Sequence, residues 1–158
     1  RDKVPYTAWE RDGYITFTPG AVVDYEWLKS YIMKWSQTYS IQEICFDPWN
    51  ATQLANDLSN EGFEMVQIRQ GYATLSEPTK DIMGLTLQKK IYHFGNPVLA
   101  WAIGNCVVSQ DPAGNIKLDK SKTTFRIDPA AAFVTSHVRA RLHNDKRSVY
   151  EDRGVRAL

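Results

Sequence analysis

The order of elements along the chain predicts an α/β domain. Residues 24–68 read helix, strand, helix, strand, which is the mark of a parallel sheet with crossover helices. Both strand candidates are short and largely apolar, as strands buried on two faces are. A later segment, residues 106–118, carries the turn chemistry of a hairpin. At 158 residues the chain is long enough for one domain with a real core.

The elements follow in order. Residues 4–12 form a short helix, with Pro5 tolerated in its first turn and Gly13 ending it. Tyr14 to Thr18 reads as a strand of aromatic and β-branched residues, and Pro19-Gly20 turns the chain. Asp24 caps a helix running to about Tyr39, whose Trp27, Leu28, Tyr31, Ile32 and Trp35 share one face. Ile41 to Phe46 is a buried strand ending at Asp47-Pro48. A helix from Asn50 to Glu61 turns Leu54, Ala55 and Leu58 inward and stops at Gly62, and Phe63 to Ile68 is the next strand. Gln70 to Glu77 is expected to be a loop, with Pro78 opening a helix that ends near Lys89. Asn96-Pro97 supplies a cap and first turn for an apolar helix, and Asp111, Pro112, Gly114 and Asn115 turn the hairpin. Asp128-Pro129 opens a last, Ala-rich helix to about Ala140. The expected domain covers residues 1–141, followed by a charged, mobile tail over 142–158.

Composition narrows the chemistry. Hydrophobic residues make up 43% and charged residues 23%, ordinary values for a globular protein. A net charge of +1 does not announce nucleic acid, but charge is uneven. Lys117, Lys120, Lys122 and Arg126 face only Asp119 in their segment, and six cations face three acids over residues 139–158. Such runs are either solvated surface or a rim for a polyanion. Cys45 and Cys106 lie in separate apolar runs without zinc spacing and read as buried free thiols. His93, His137 and His143 form no metal pattern, and neither a glycine-rich phosphate loop nor a Ser-His-Asp or Cys-His motif is present. There is no signal peptide pattern and no apolar run of membrane-spanning length. The chain opens on Arg-Asp-Lys without an initiator Met, which suggests a piece of a longer protein.

Two carboxylates stand where chemistry would be placed. Asp47 closes a buried strand, and sites in open α/β sheets lie beyond the carboxyl ends of strands. Asp128 begins the last helix, whose small residues let it approach the sheet. Each Asp precedes a proline and a helix, so each, taken alone, reads more readily as a cap than as a ligand. Read together, they suit a hard divalent cation, which prefers oxygen ligands. Two carboxylates would be a thin supply, and a third is expected.

Several stretches fall into one pattern: VPYTAWERDGYITFTPG, FDPWNATQLANDLSNEGF, QGYATLSEPTK, NPVLAW and DPAGNIKLDKSKTTFRIDPAAA. In this order they resemble the C-terminal half of phage terminase large subunits, over nearly the whole chain to about Arg141. The resemblance implies an RNase H-like nuclease domain, a mixed sheet flanked by helices that binds Mg²⁺ or Mn²⁺ at acidic residues. It assigns Asp47 and Asp128 as catalytic metal ligands. It places a third Asp on a first strand ahead of VPYTAW, which these 158 residues do not include. The expected domain therefore lacks that strand, makes a poor nuclease and a weak metal binder by itself, and either self-associates through an uncovered sheet edge or lays its N-terminal residues across it. The implied activity is cleavage of concatemeric double-stranded DNA during genome packaging, in the cytoplasm of a bacterial host. The implied partners are DNA, the portal protein and the small terminase subunit, with no membrane. Lys117, Lys120, Lys122 and Arg126 would touch the DNA backbone rather than read bases. Two other readings are another RNase H-like nuclease, such as a resolvase or recombinase, and a non-catalytic module that docks DNA or the portal.

Overall fold

A computed structural model describes residues 2–143; the expected tail lies outside them from residue 144 onward. Among the described residues the elements follow in the order α1 (Tyr6–Arg11), α2 (Tyr25–Ser36), β1 (Ile44–Phe46), α3 (Thr52–Asn60), β2 (Met65–Gln67), α4 (Tyr72–Leu87), α5 (Pro97–Gly104), β3 (Val108–Gln110), β4 (Ile116–Leu118), a 3-10 turn (Lys120–Lys122) and α6 (Asp128–His143). The domain is mixed α/β, richer in helix than in strand.

β1 and β2 pair in parallel, Ile44 opposite Met65 and Phe46 opposite Gln67, with α3 as the crossover. β3 and β4 form the expected hairpin, Val108 opposite Leu118 and Gln110 opposite Ile116. The described strands thus make two separate two-stranded sheets rather than one mixed sheet. α6 packs on β1, α4 and α5, while α4 also covers β4 and α3 packs on β2. The core lies where these meet. Ile68, Leu75 and Val134 are buried together, with Cys45, Val66, Ile82, Leu118 and Val138 packed around them. Each such aliphatic side chain contributes about 1.5–3 kcal/mol on burial.

Local signals explain most boundaries. Asp24 Oδ1 accepts the Trp27 amide at 3.0 Å and starts α2. Asn96 Oδ1 accepts the amides of Val98 and Leu99, both at 3.0 Å, ahead of Pro97 in the first turn of α5. The hairpin is turned by Asp111, whose Oδ1 accepts from Ala113 N and Asn115 N and whose Oδ2 accepts from Asn115 Nδ2, all at 2.9 Å. Gly114 stands at φ +81°, a conformation that disfavours a side chain.

Two expectations are corrected. Of the expected loop over residues 70–77 only Gln70 and Gly71 are non-helical: α4 begins at Tyr72 and carries Pro78 inside it. An interior proline forfeits one helical bond and costs about 3 kcal/mol. Leu75, Ser76, Pro78 and Thr79 are all buried along one face, and that packing outweighs the lost bond. Ser76 Oγ also accepts the Ile116 amide at 3.1 Å, fastening this first part of α4 to the hairpin. Tyr14 to Thr18, expected as a strand, is irregular. The Tyr14 amide turns back to the Trp9 carbonyl at 2.8 Å, and among the described residues no strand pairs with this segment. β-propensity without a partner does not make a sheet.

Candidate active site

The carboxyl end of β1, the start of α4, the hairpin and the start of α6 enclose an open cleft of about 730 Å³. Asp47 and Asp128, far apart in sequence, both line it. Asp47 leaves β1 just as the chain turns. Its Oδ1 accepts the Trp49 amide at 3.0 Å. The cap of α3 is Ala51, which makes no side-chain bond, so Asp47 does not cap that helix. Asp128 is the first residue of α6, where a carboxylate also suits the helix dipole. Its Oδ1 accepts from the Lys120 ammonium at 2.6 Å. Both members of that pair are exposed, 65% for the Lys120 side chain and 59% for Asp128. An exposed pair of this kind contributes only about 0–1 kcal/mol.

A third carboxylate, Asp119, lines the same cleft. It caps the 3-10 turn, accepting from Ser121 N at 2.9 Å and Ser121 Oγ at 2.6 Å. Those bonds, the hydroxyl first, hold its carboxyl below the usual range. Among the described residues no three His, Cys, Asp or Glu side chains gather closely enough to hold a metal ion. The chemistry of the pair itself nevertheless suits a hard cation. Asp47 and Asp128 each keep one oxygen, Oδ2, without a protein hydrogen bond among the described residues.

The four candidate cations separate. Lys117 and Lys120 line the cleft with the two acids. Lys122 pairs with Asp119 at 3.8 Å and is not on the cleft wall. Arg126 lines a neighbouring hollow of about 330 Å³ together with Asp2, Lys120 and Asp128. Its Nε lies 3.3 Å from Asp2 Oδ2. The Asp2 carboxyl is held below its ordinary value, first by the Tyr6 hydroxyl bond and then by Arg126.

Other nucleophiles and soft ligands drop out. Cys45 borders the cleft, but burial pushes its thiol up, as it does for Cys106, so both stay neutral near pH 7. Both are only partly buried. His137 pairs with Asp81 at 2.7 Å, and His143 lies 3.1 Å from Glu43, neither on the cleft wall. Gln70, Tyr72 and Ser109 line it too, and no motif in the sequence marks them. Reading 70–77 as a loop hid Tyr72 as the first residue of a helix aimed at the hairpin.

An α/β scaffold thus gathers carboxylates and lysines around one open cleft. The chain belongs to the family described as the terminase large subunit, endonuclease domain, which it matches over residues 1–144. It is 35% identical to the large terminase subunit of Enterobacteria phage HK97 over 137 residues, 85% of this chain and 27% of that protein. It is 30% identical to protein YmfN of Escherichia coli K12 over 158 residues, 97% of this chain and 35% of that one. The crystal structure of the HK97 bacteriophage large terminase superposes with a TM-score of 0.80 at 34% identity, covering 87% of this chain and 29% of that one. The chain therefore spans about a third of these relatives or less. No helix among the described residues is long and apolar enough to cross a membrane.

Proposed function

We propose that the cleft between β1 and α6 is the active site of a metal-dependent endonuclease that cuts concatemeric double-stranded phage DNA during genome packaging. The observation that carries this reading is the convergence of Asp47 and Asp128 on one open cleft with Lys117 and Lys120, in a chain of the terminase endonuclease family. Asp47 and Asp128 are the residues that would hold Mg²⁺ or Mn²⁺. Such an ion, or a pair of them, activates water and stabilises the leaving oxygen of a phosphodiester. Lys120, released from Asp128, and Lys117 would meet backbone phosphates, with Lys122 and Arg126 extending the basic rim. The parallel β1–α3–β2 unit with α6 packed on β1 supports an RNase H-like arrangement. On this reading residues 1–141 are the nuclease domain and 142–158 a charged appendage, although α6 runs on through His143. The portal protein and the small terminase subunit would be its partners, in the cytoplasm of the bacterial host.

The test is plasmid cleavage in Mn²⁺ by the longest polypeptide that the gene encodes, beside Asp47→Asn and Asp128→Asn. Each replacement should abolish cleavage while leaving duplex binding. Cleavage that survives both, or a wild type that neither binds nor cuts duplex, contradicts the proposal.

A further inference from the structure

Within the cleft one cation is held in an unusual way. Lys117 is half-buried, and its ammonium donates to the Gln70 carbonyl at 3.2 Å. It also lies 5.1 Å from the centre of the Tyr72 ring. Lys120 and Lys122 each have an aspartate partner, at 2.6 and 3.8 Å, whereas Lys117 forms no ion pair among the described residues. Tyr72 does more than lie beside it. The Tyr72 hydroxyl bonds Ser109 Oγ at 2.8 Å, and Ser109 is the cross-strand partner of Lys117. One side chain therefore touches both residues of a single rung, the ring against the ammonium and the hydroxyl against the buried serine.

Asp119, on the same wall, feels the Lys117 charge but is bonded to Ser121 rather than to the ammonium. A half-buried cation without a direct ion-pair partner is stabilised by an anion that completes it. A ring face offsets part of the cost of burying the charge. An ammonium has three donors, and the Gln70 carbonyl takes one. The others remain for a ligand in a cleft whose wall also carries Asp47 and Asp128.

We propose that Tyr72 is a positioning residue: through its ring and its bond to Ser109 it fixes Lys117 as the seat for a backbone phosphate of duplex DNA beside the acidic pair. This rests on the nuclease reading above. It adds a division of labour, in which Lys117 is a fixed contact that sets where the strand lies and Lys120 is a mobile one shared with Asp128.

The experiment is binding of a fluorescein-labelled duplex without divalent metal, by anisotropy at several KCl concentrations. Lys117→Met should weaken binding about tenfold and reduce the slope of log K against log salt by about 0.9, the loss of one phosphate contact. Tyr72→Leu should reproduce most of that loss, and should add nothing when Lys117→Met is already present. Thermal melts of each variant check folding. Should Tyr72→Leu melt below the assay temperature, Tyr72→Phe replaces it; a loss of about threefold that disappears in the Lys117→Met background supports the proposal. No loss, or a loss equal in both backgrounds, overturns it, as does Lys117→Met binding like the wild type. A wild type that binds no duplex overturns the nuclease reading itself, and this inference with it.

Discussion

At the scale of residues, the decisive object is the Asp128 carboxylate. One oxygen holds Lys120 at 2.6 Å, and the other has no protein partner among the described residues. A divalent ion held at Asp128, as proposed, would have to compete with that ammonium. Because the pair is exposed, its contribution is only about 0–1 kcal/mol. Lys120→Met should therefore tighten Mn²⁺ binding by no more than about fivefold, measured by calorimetry without DNA, while weakening duplex binding. A weaker Mn²⁺ affinity in this variant would mean that Lys120 does not compete with the ion. Asp111 gives the contrasting case. Its carboxyl is held below the usual range, chiefly by the Asn115 side chain and amide, and its oxygens are engaged within the hairpin turn. Asp111→Ala should lower the midpoint of denaturant unfolding, through loss of the hairpin-turn bonds, and leave Mn²⁺ affinity unchanged. Lost metal binding in a folded Asp111→Ala protein would make it a ligand.

At the scale of elements, position in the chain decides what the sequence discloses. Asp24, Asn96-Pro97 and the Asp111–Asn115 turn each fix a boundary through bonds to amides two to four residues away, so each is legible without knowing the fold. The strand at Cys45 and the acid that follows it are legible for a similar reason, an apolar run stopped by Asp47-Pro48. The start of α4 is not legible. Pro78 argues for a first turn, and only the burial of Leu75 and Ser76 against distant elements places it inside the helix. Tyr14 to Thr18 fails in the opposite sense, having the right residue types and no partner strand among the described residues. The cleft wall shares this split: Asp47, Asp128, Lys117 and Lys120 stand out as types in a pattern, whereas Tyr72 and Ser109 are noticed only because they meet across 37 positions. Gly114, at φ +81°, allows a direct test of the hairpin. Gly114→Ala should destabilise by about 1 kcal/mol from backbone strain alone, because the added methyl meets nothing closer than Gln110 at 3.6 Å. An unchanged midpoint in denaturant would mean that the turn relaxes.

At the scale of the whole molecule, α6 joins the parts that frame the cleft. It carries Asp128 at one end, Val134 in the core and Arg139 near the other end. Arg139 grips Glu43, the residue before β1, through Nε at 2.7 Å and Nη2 at 2.6 Å. These bonds, with a smaller contribution from His143, hold the Glu43 carboxyl at about 2, against an ordinary 4.5. A depressed folded value means that the unfolded chain takes up the proton first. The contribution is therefore complete above pH 4.5 and is lost as pH falls toward about 2. Arg139→Gln should lower the melting temperature at pH 7 and flatten its fall between those pH values. An equally steep acid transition in that variant would assign the loss to other carboxylates.

The β1–α6 cleft is where, on the proposed function, metal and DNA would meet. The most direct measurement is anomalous diffraction from crystals of the protein soaked in Mn²⁺ together with a short duplex. The predicted result is manganese density in contact with the carboxylates of both Asp47 and Asp128, with a phosphate oxygen beside Lys117. Carboxylates that must share ions about 4 Å apart have to lie within roughly 8 Å of one another. Manganese bound elsewhere, or the two carboxylates held more than about 12 Å apart around an empty cleft, a separation beyond the reach of such ions, would contradict it.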